Sequence, residues 1–154
     1  MATWEQVRRY ALALPGVTET TSRGNAAWLV NKHFFLWERP LRKSDLAALG
    51  DAAPAGPILG VRTADLEMKE AILRSAPEFA FTTPHFDGYS AVLVQLATIP
   101  AKQLKELIVE AWLTRAPERA ARAYLAAPVR PRSVPFPRAA SEAGTRARGR
   151  TGPR

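Results

Sequence analysis

The sequence predicts one α+β domain over residues 1–127, an antiparallel sheet packed against N- and C-terminal helices, followed by a tail at 128–154 unable to fold by itself. Three observations carry this. Apolar residues recur at helical spacing near both ends of the first 127 residues, and short apolar or alternating runs bounded by Pro, Gly and Asn fill the middle. The tail instead interleaves seven arginines with Pro128, Pro131, Pro135, Pro137 and Pro153 and shows no apolar period.

Thr3 with Gln6 has the form of a capping box, and Trp4, Val7, Tyr10, Ala11 and Leu14 follow at helical spacing up to Pro15-Gly16, which predicts a helix over 4–14. Thr18–Ser22 reads as a short polar strand or turn. Ala26–Val30 and His33–Glu38 flank Asn31-Lys32, a two-residue hairpin signal weakened by Lys where Gly is usual. With that turn, Val30 faces His33, Trp28 faces Phe35 and Ala26 faces Trp37 on one side, while Ala27, Leu29, Phe34 and Leu36 share the other. Both faces are apolar, so each needs a covering layer or a partner.

Residues 39–57 are rich in Pro, Gly, Ala and charge, with a short helical stretch after Ser44, and Ile58–Arg62 reads as a strand. A helix over about 65–75 ends before Pro77. Phe79 and Phe81 alternate with Ala80 and Thr82 as a half-buried strand, 84–90 is a turn, and Ala91–Leu96 is a buried strand. The longest helix begins near Pro100 with the stripe Leu104, Leu107, Ile108, Ala111 and Trp112, and Pro117 ends it. A last helix over about 118–126 turns Tyr124 and Leu125 inward and Arg119 and Arg122 outward. Trp4 and Trp112 belong to the core.

Composition narrows the class. Among 154 residues, 47% are hydrophobic and 23% charged, as in ordinary globular proteins, and with no cysteine a disulfide framework and thiol chemistry are excluded. No run approaches the ~18 apolar residues of a membrane span and the N-terminus has no leader pattern, so a cytoplasmic protein without membrane contact is expected. The net charge of +8 is unevenly placed. Residues 128–154 hold seven arginines and one acid, whereas the first 127 residues hold fifteen bases and thirteen acids, a net +2. The basic signal visible in composition therefore belongs to the tail.

No catalytic constellation is visible, and the chain is not expected to be an enzyme. His33 and His85 lie in separate segments without metal-ligand spacing, the glycines are scattered rather than grouped in a phosphate loop, and no Gly-x-Ser-x-Gly elbow occurs. Neither a metal nor a cofactor is expected. The densest polar cluster runs from Thr82 to Tyr89, where His85 and Asp87 offer a base and an orienting carboxylate beside Thr83 and Tyr89. The same residue types are those of a strand-connecting turn, with Pro84 setting φ and Gly88 supplying a positive φ.

That cluster also carries a resemblance. Phe81-Thr82-Thr83-Pro84-His85-Phe86-Asp87-Gly88-Tyr89 followed by Ala91-Val92-Leu93-Val94 resembles the hallmark segment of the MmcQ/YjbR family. Trp4-Glu5-Gln6-Val7-Arg8, Leu12 to Val17, Glu110-Ala111-Trp112 and Ala116-Pro117 are similar to it as well, so the matches span nearly all of 3–126. The resemblance implies a CyaY/frataxin-like fold and a proposed DNA-binding role through two wing-like hairpins. The family does not fix which residues form the wings, and the hairpin and turn signals place them: 26–38 is the clearer wing, with Asn31, Lys32 and His33 at its tip, and 83–90 is the second. The acidic row by which frataxin-like proteins hold iron is missing, because the first helix offers Glu5 against Arg8 and Arg9.

DNA is accordingly the expected partner, bound weakly or non-specifically. Lys32, His33, Arg39, Arg42 and Lys43 near the hairpin and Arg130, Arg132, Arg138, Arg146, Arg148 and Arg150 in the tail are the residues expected to meet it. Trp28, Phe35 and Trp37 either stack on bases or form core, and strand-spaced aromatics more often form core. Two other readings stay open: a protein adaptor using the apolar sheet face, and a small-ligand or enzyme site around His85 and Asp87.

Overall fold

The computed structural model describes residues 2–126. The tail at 128–154, with its six arginines expected to meet DNA, lies outside the described residues.

Helix α1 spans Trp4–Leu12 and starts with the expected capping box: Thr3 Oγ1 accepts from Gln6 N at 3.2 Å and the Gln6 side chain accepts from Thr3 N at 3.0 Å. Strands β1 (Thr18–Ser22), β2 (Asn25–Val30) and β3 (His33–Glu38) form a meander, and α2 (Lys43–Leu49) leads towards β4 (Ile58–Arg62). Helix α3 (Leu66–Ser75) is capped by the Asp65 carboxylate on Met68 N at 2.8 Å. Then come β5 (Ala80–Phe81), a 3-10 turn at Pro84–Phe86, β6 (Ala91–Gln95), α4 (Ala101–Arg115) and α5 (Glu118–Ala126).

The six strands make one antiparallel sheet in the order β1-β2-β3-β4-β6-β5. Val7 and Ala11 of α1, Ile72 of α3 and the whole predicted stripe of α4 pack with Trp28, Val30, Leu59, Val61, Val92 and Val94 on one face, which holds the main core. Trp112, fully buried, donates Nε1 to Pro15 O at 3.0 Å and meets the Tyr124 ring at 5.2 Å, which joins α4 to the segment after α1 and to α5. The second face carries a smaller cluster of Ile58, Phe86 and Leu93 with Trp37, Leu41 and Phe81 against it.

Three expectations are corrected. Leu125 is 49% exposed and only Tyr124 turns towards the core. The strand expected at 79–82 shrinks to two residues, because Phe79 and Ala80 both enter the main core and leave no alternation to sustain a longer ladder. The hairpin register slips inside β3. Val30 pairs with His33 and Leu29 with Phe34, but Trp28 pairs with Leu36 and Ala27 with Trp37, leaving Phe35 as a bulge. The bulge buries Phe35 and Leu36 together in the main core and turns Trp37 to the opposite face. There Gly60 pairs with Trp37, and its missing side chain is the space the indole occupies.

Candidate functional site

The hairpin turn uses left-handed backbone at both central residues, Asn31 (φ 55°) and Lys32 (φ 66°), which is the geometry that matches strand twist in a two-residue loop. It lifts Lys32 and His33 to one end of the second sheet face. The bulge places Trp37 in the middle of that face, and Arg62, two residues beyond Gly60, leaves β4 on the same side as Trp37.

The turn at 84–89 forms one wall. Its conformation is held by Lys69 of α3, a buried ammonium that donates to Phe86 O at 2.6 Å and Tyr89 O at 2.9 Å. Burial pushes the Lys69 pKa below its ordinary value, and the nearby Asp87 and Glu70 carboxylates offset part of that cost. The segment after β3 forms the facing wall, anchored by Asp45 of α2. Its Oδ2 accepts from Arg42 N at 2.8 Å and from Arg39 Nη1 at 3.0 Å, and Arg39 also donates to Pro40 O at 2.6 Å. Burial alone would raise the Asp45 pKa, but the Arg42 amide and the Arg39 guanidinium outweigh it and hold the carboxyl below its ordinary range.

Aromatic rings and guanidiniums alternate between these walls. Arg39 lies over the Phe86 ring at 5.2 Å, Phe86 tilts against Tyr89 at 5.8 Å, and Arg62 sits over Tyr89 at 4.7 Å while donating to its hydroxyl at 2.7 Å. His85 packs edge-on against Phe86 at 4.9 Å.

The result is a groove of about 770 Å³. Its lining includes the cations Arg23, Lys32, Arg39, Arg42, Arg62 and Arg115, the rings of Phe34, Trp37, Phe86 and Tyr89, both histidines, and two carboxylates, Glu38 and Asp87. Among the described residues only Arg39 of the six cations has a salt-bridge partner. Three guanidinium nitrogens, Arg39 Nη2, Arg62 Nε and Arg115 Nε, are sealed from solvent without a hydrogen-bond partner among the described residues.

Four of the expected hairpin residues, Lys32, His33, Arg39 and Arg42, thus come together, whereas Lys43 begins α2 outside the groove. Arg39 is 5% exposed and structural as much as cationic. Trp28 and Phe35 are core, and Trp37 alone of the expected aromatic set faces the groove. Sequence reasoning missed Arg23, Arg62 and Arg115. Arg62 had a signal, as the polar end of a strand whose neighbour two residues back is glycine, but Arg115 reads as an ordinary basic helix end. Among the described residues no group of three or more His, Cys, Asp or Glu side chains comes together to hold a metal ion, and no helix is long and apolar enough to cross a membrane.

Fold and site define a small α+β protein in which α1, α3 and α4 cover one face of an antiparallel sheet and a cationic, aromatic-lined groove lies on the other. The chain belongs to the YjbR family, whose model matches residues 12–114. It is 48% identical over 129 residues to the uncharacterized protein Rv2570 of Mycobacterium tuberculosis (strain ATCC 25618 / H37Rv), covering 82% of this chain and 98% of that one. The uncharacterized protein Mb2600 of Mycobacterium bovis is similar to the same extent. The crystal structure of the Deinococcus radiodurans protein DR2400, with the family-model domain DUF419, shares the fold at a TM-score of 0.58 and 21% identity, over 83% of this chain and 91% of that one.

Proposed function

We propose that this protein binds nucleic acid, with DNA as the first partner to test, along the groove on the second sheet face. One observation carries the reading: the domain's net charge is small, yet six of its fifteen bases and only two of its thirteen acids line one groove, among four aromatic rings. Cations held in a concave site focus potential on an anionic backbone, and rings supply stacking surfaces that neither a metal nor a simple anion would need. The seven arginines of 128–154 add a polybasic segment of the kind that strengthens such binding electrostatically.

The adaptor alternative calls for an apolar patch free of bases. The exposed apolar side chains Leu12, Leu46, Leu66 and Leu125 instead sit on four different helices, and Phe34 and Tyr89 lie among arginines. His85 and Asp87 do reach the same groove, which keeps a small-ligand site in view, but no hydrogen bond joins them and His85 is packed on Phe86.

The test is a salt titration of DNA affinity for the full chain and for the double variant Lys32→Ala/Arg42→Ala. Both side chains are exposed, so the fold is retained. For every phosphate that the variant no longer neutralises, the slope of log K against log salt flattens by about 0.9 on duplex or about 0.7 on a single strand. A slope unchanged in the double variant, or no binding by the wild type at low salt, refutes the proposal.

A further inference from the structure

We infer that the groove selects unpaired nucleotides over duplex, seating a flexible strand with its bases against Tyr89 and Phe34 and its phosphates on the arginines. This rests on the nucleic-acid reading and adds the strand preference to it.

Shape is the first argument. A duplex is read by an element that protrudes into one of its grooves, whereas here the cations and rings line a concavity between the 84–89 turn and the 39–42 segment. A volume of about 770 Å³ is that of a small-molecule site, suited to nucleotide units that can splay apart.

The rings are the second. Phe34 and Tyr89 are 40% and 41% exposed, so large apolar surfaces face solvent inside a cationic site, and duplex DNA, whose bases are stacked internally, offers them nothing. Arg62 covers one side of Tyr89 and fixes its hydroxyl, which orients the ring before any ligand arrives.

The third argument is the unpartnered donors. Arg39 is more than nine-tenths buried, and its Nη2 has no acceptor although Nη1 has two. Arg62 Nε and Arg115 Nε likewise lack an acceptor, on side chains that are only partly buried, and neither arginine has a carboxylate partner among the described residues. Buried donors without acceptors are costly in a native protein; these are closed to a ligand oxygen until the guanidiniums turn outward, and a phosphate that drew them into the groove would supply the missing acceptors.

The experiment measures, on the full chain, the affinity for a short oligothymidylate and for a blunt hairpin duplex of equal charge, for wild type, Tyr89→Leu, Phe34→Ser and Arg62→Gln. Expected are a single-strand preference of about tenfold, loss of most of it in Tyr89→Leu and in Phe34→Ser, and duplex affinity unchanged in both. Arg62→Gln lowers affinity for both probes and flattens the salt slope. Two ring variants on different elements guard against one failing to fold. Equal wild-type affinity for strand and duplex, or ring variants that keep the preference, overturns the inference and leaves nucleic-acid binding standing. Absence of binding to either probe removes both.

Discussion

Lys32 serves two demands that conflict. Its left-handed backbone costs a side-chain-bearing residue about 1–2 kcal/mol, yet the residue is one of the cations lining the groove. Lys32→Gly is therefore expected to raise stability by up to about 1 kcal/mol in denaturant unfolding while lowering DNA affinity. Parallel loss of both would show that the turn is unstrained. Asp45 is the converse case, a carboxylate whose removal strands a buried guanidinium. Asp45→Asn should cost about 3–5 kcal/mol. Because its folded pKa lies below 3.8, the Asp45 contribution is complete above that pH and is lost as pH falls through the folded value. The stability gap between wild type and Asp45→Asn should then close only in acid below 3.8. At Gly60 any Cβ enters the Trp37 indole, so Gly60→Ala is expected to destabilise by about 1–3 kcal/mol, read as a lowered thermal midpoint.

The turn at 84–89 is an element whose shape is decided by a side chain on another element. Phe86, packed with Ile58 and Leu93, and Lys69 from α3 hold it, while His85, Asp87 and Tyr89 are left exposed towards the groove. Lys69→Met leaves two carbonyls without their donor and should raise amide exchange across 86–90 along with a stability loss of about 1–3 kcal/mol. Asp87 is one of two carboxylates in the groove lining, so Asp87→Asn is expected to tighten nucleic-acid binding a few-fold by removing repulsion. Weaker binding in that variant would instead favour a role for the His85–Asp87 pair as a ligand site.

Across the whole molecule the charge is divided between a nearly balanced domain with a cationic groove and the arginines of 128–154. A tail engaging all seven arginines contributes a salt slope of roughly −6 on duplex DNA, whereas groove contacts to two or three phosphates contribute roughly −2 to −3. Deleting 128–154 is accordingly expected to remove most of the duplex affinity and more than half of the slope, and to leave the single-strand preference in place. Equal slopes before and after deletion would assign the electrostatic binding to the groove alone.

The α4 stripe, the capped first helix, the two-residue hairpin turn and the buried strands at 58–62 and 91–95 were legible in the sequence because each is a local pattern, a period or a cap formed by residues a few positions apart. So was the uneven division of charge between residues 1–127 and 128–154, which needs only counting. The bulge at Phe35 was not legible, since it depends on Gly60 clearing room for Trp37 from another strand. Nor was the groove: Arg23, Arg62 and Arg115 are isolated in the chain and meet Lys32 and Arg42 only after the sheet forms. The residues that make local elements are close in sequence, whereas electrostatic potential and ring contacts depend on distance in space. The sequence by itself therefore determined most of the local elements and the family, and the tertiary structure decided the hairpin register and which face of the sheet carries the charge.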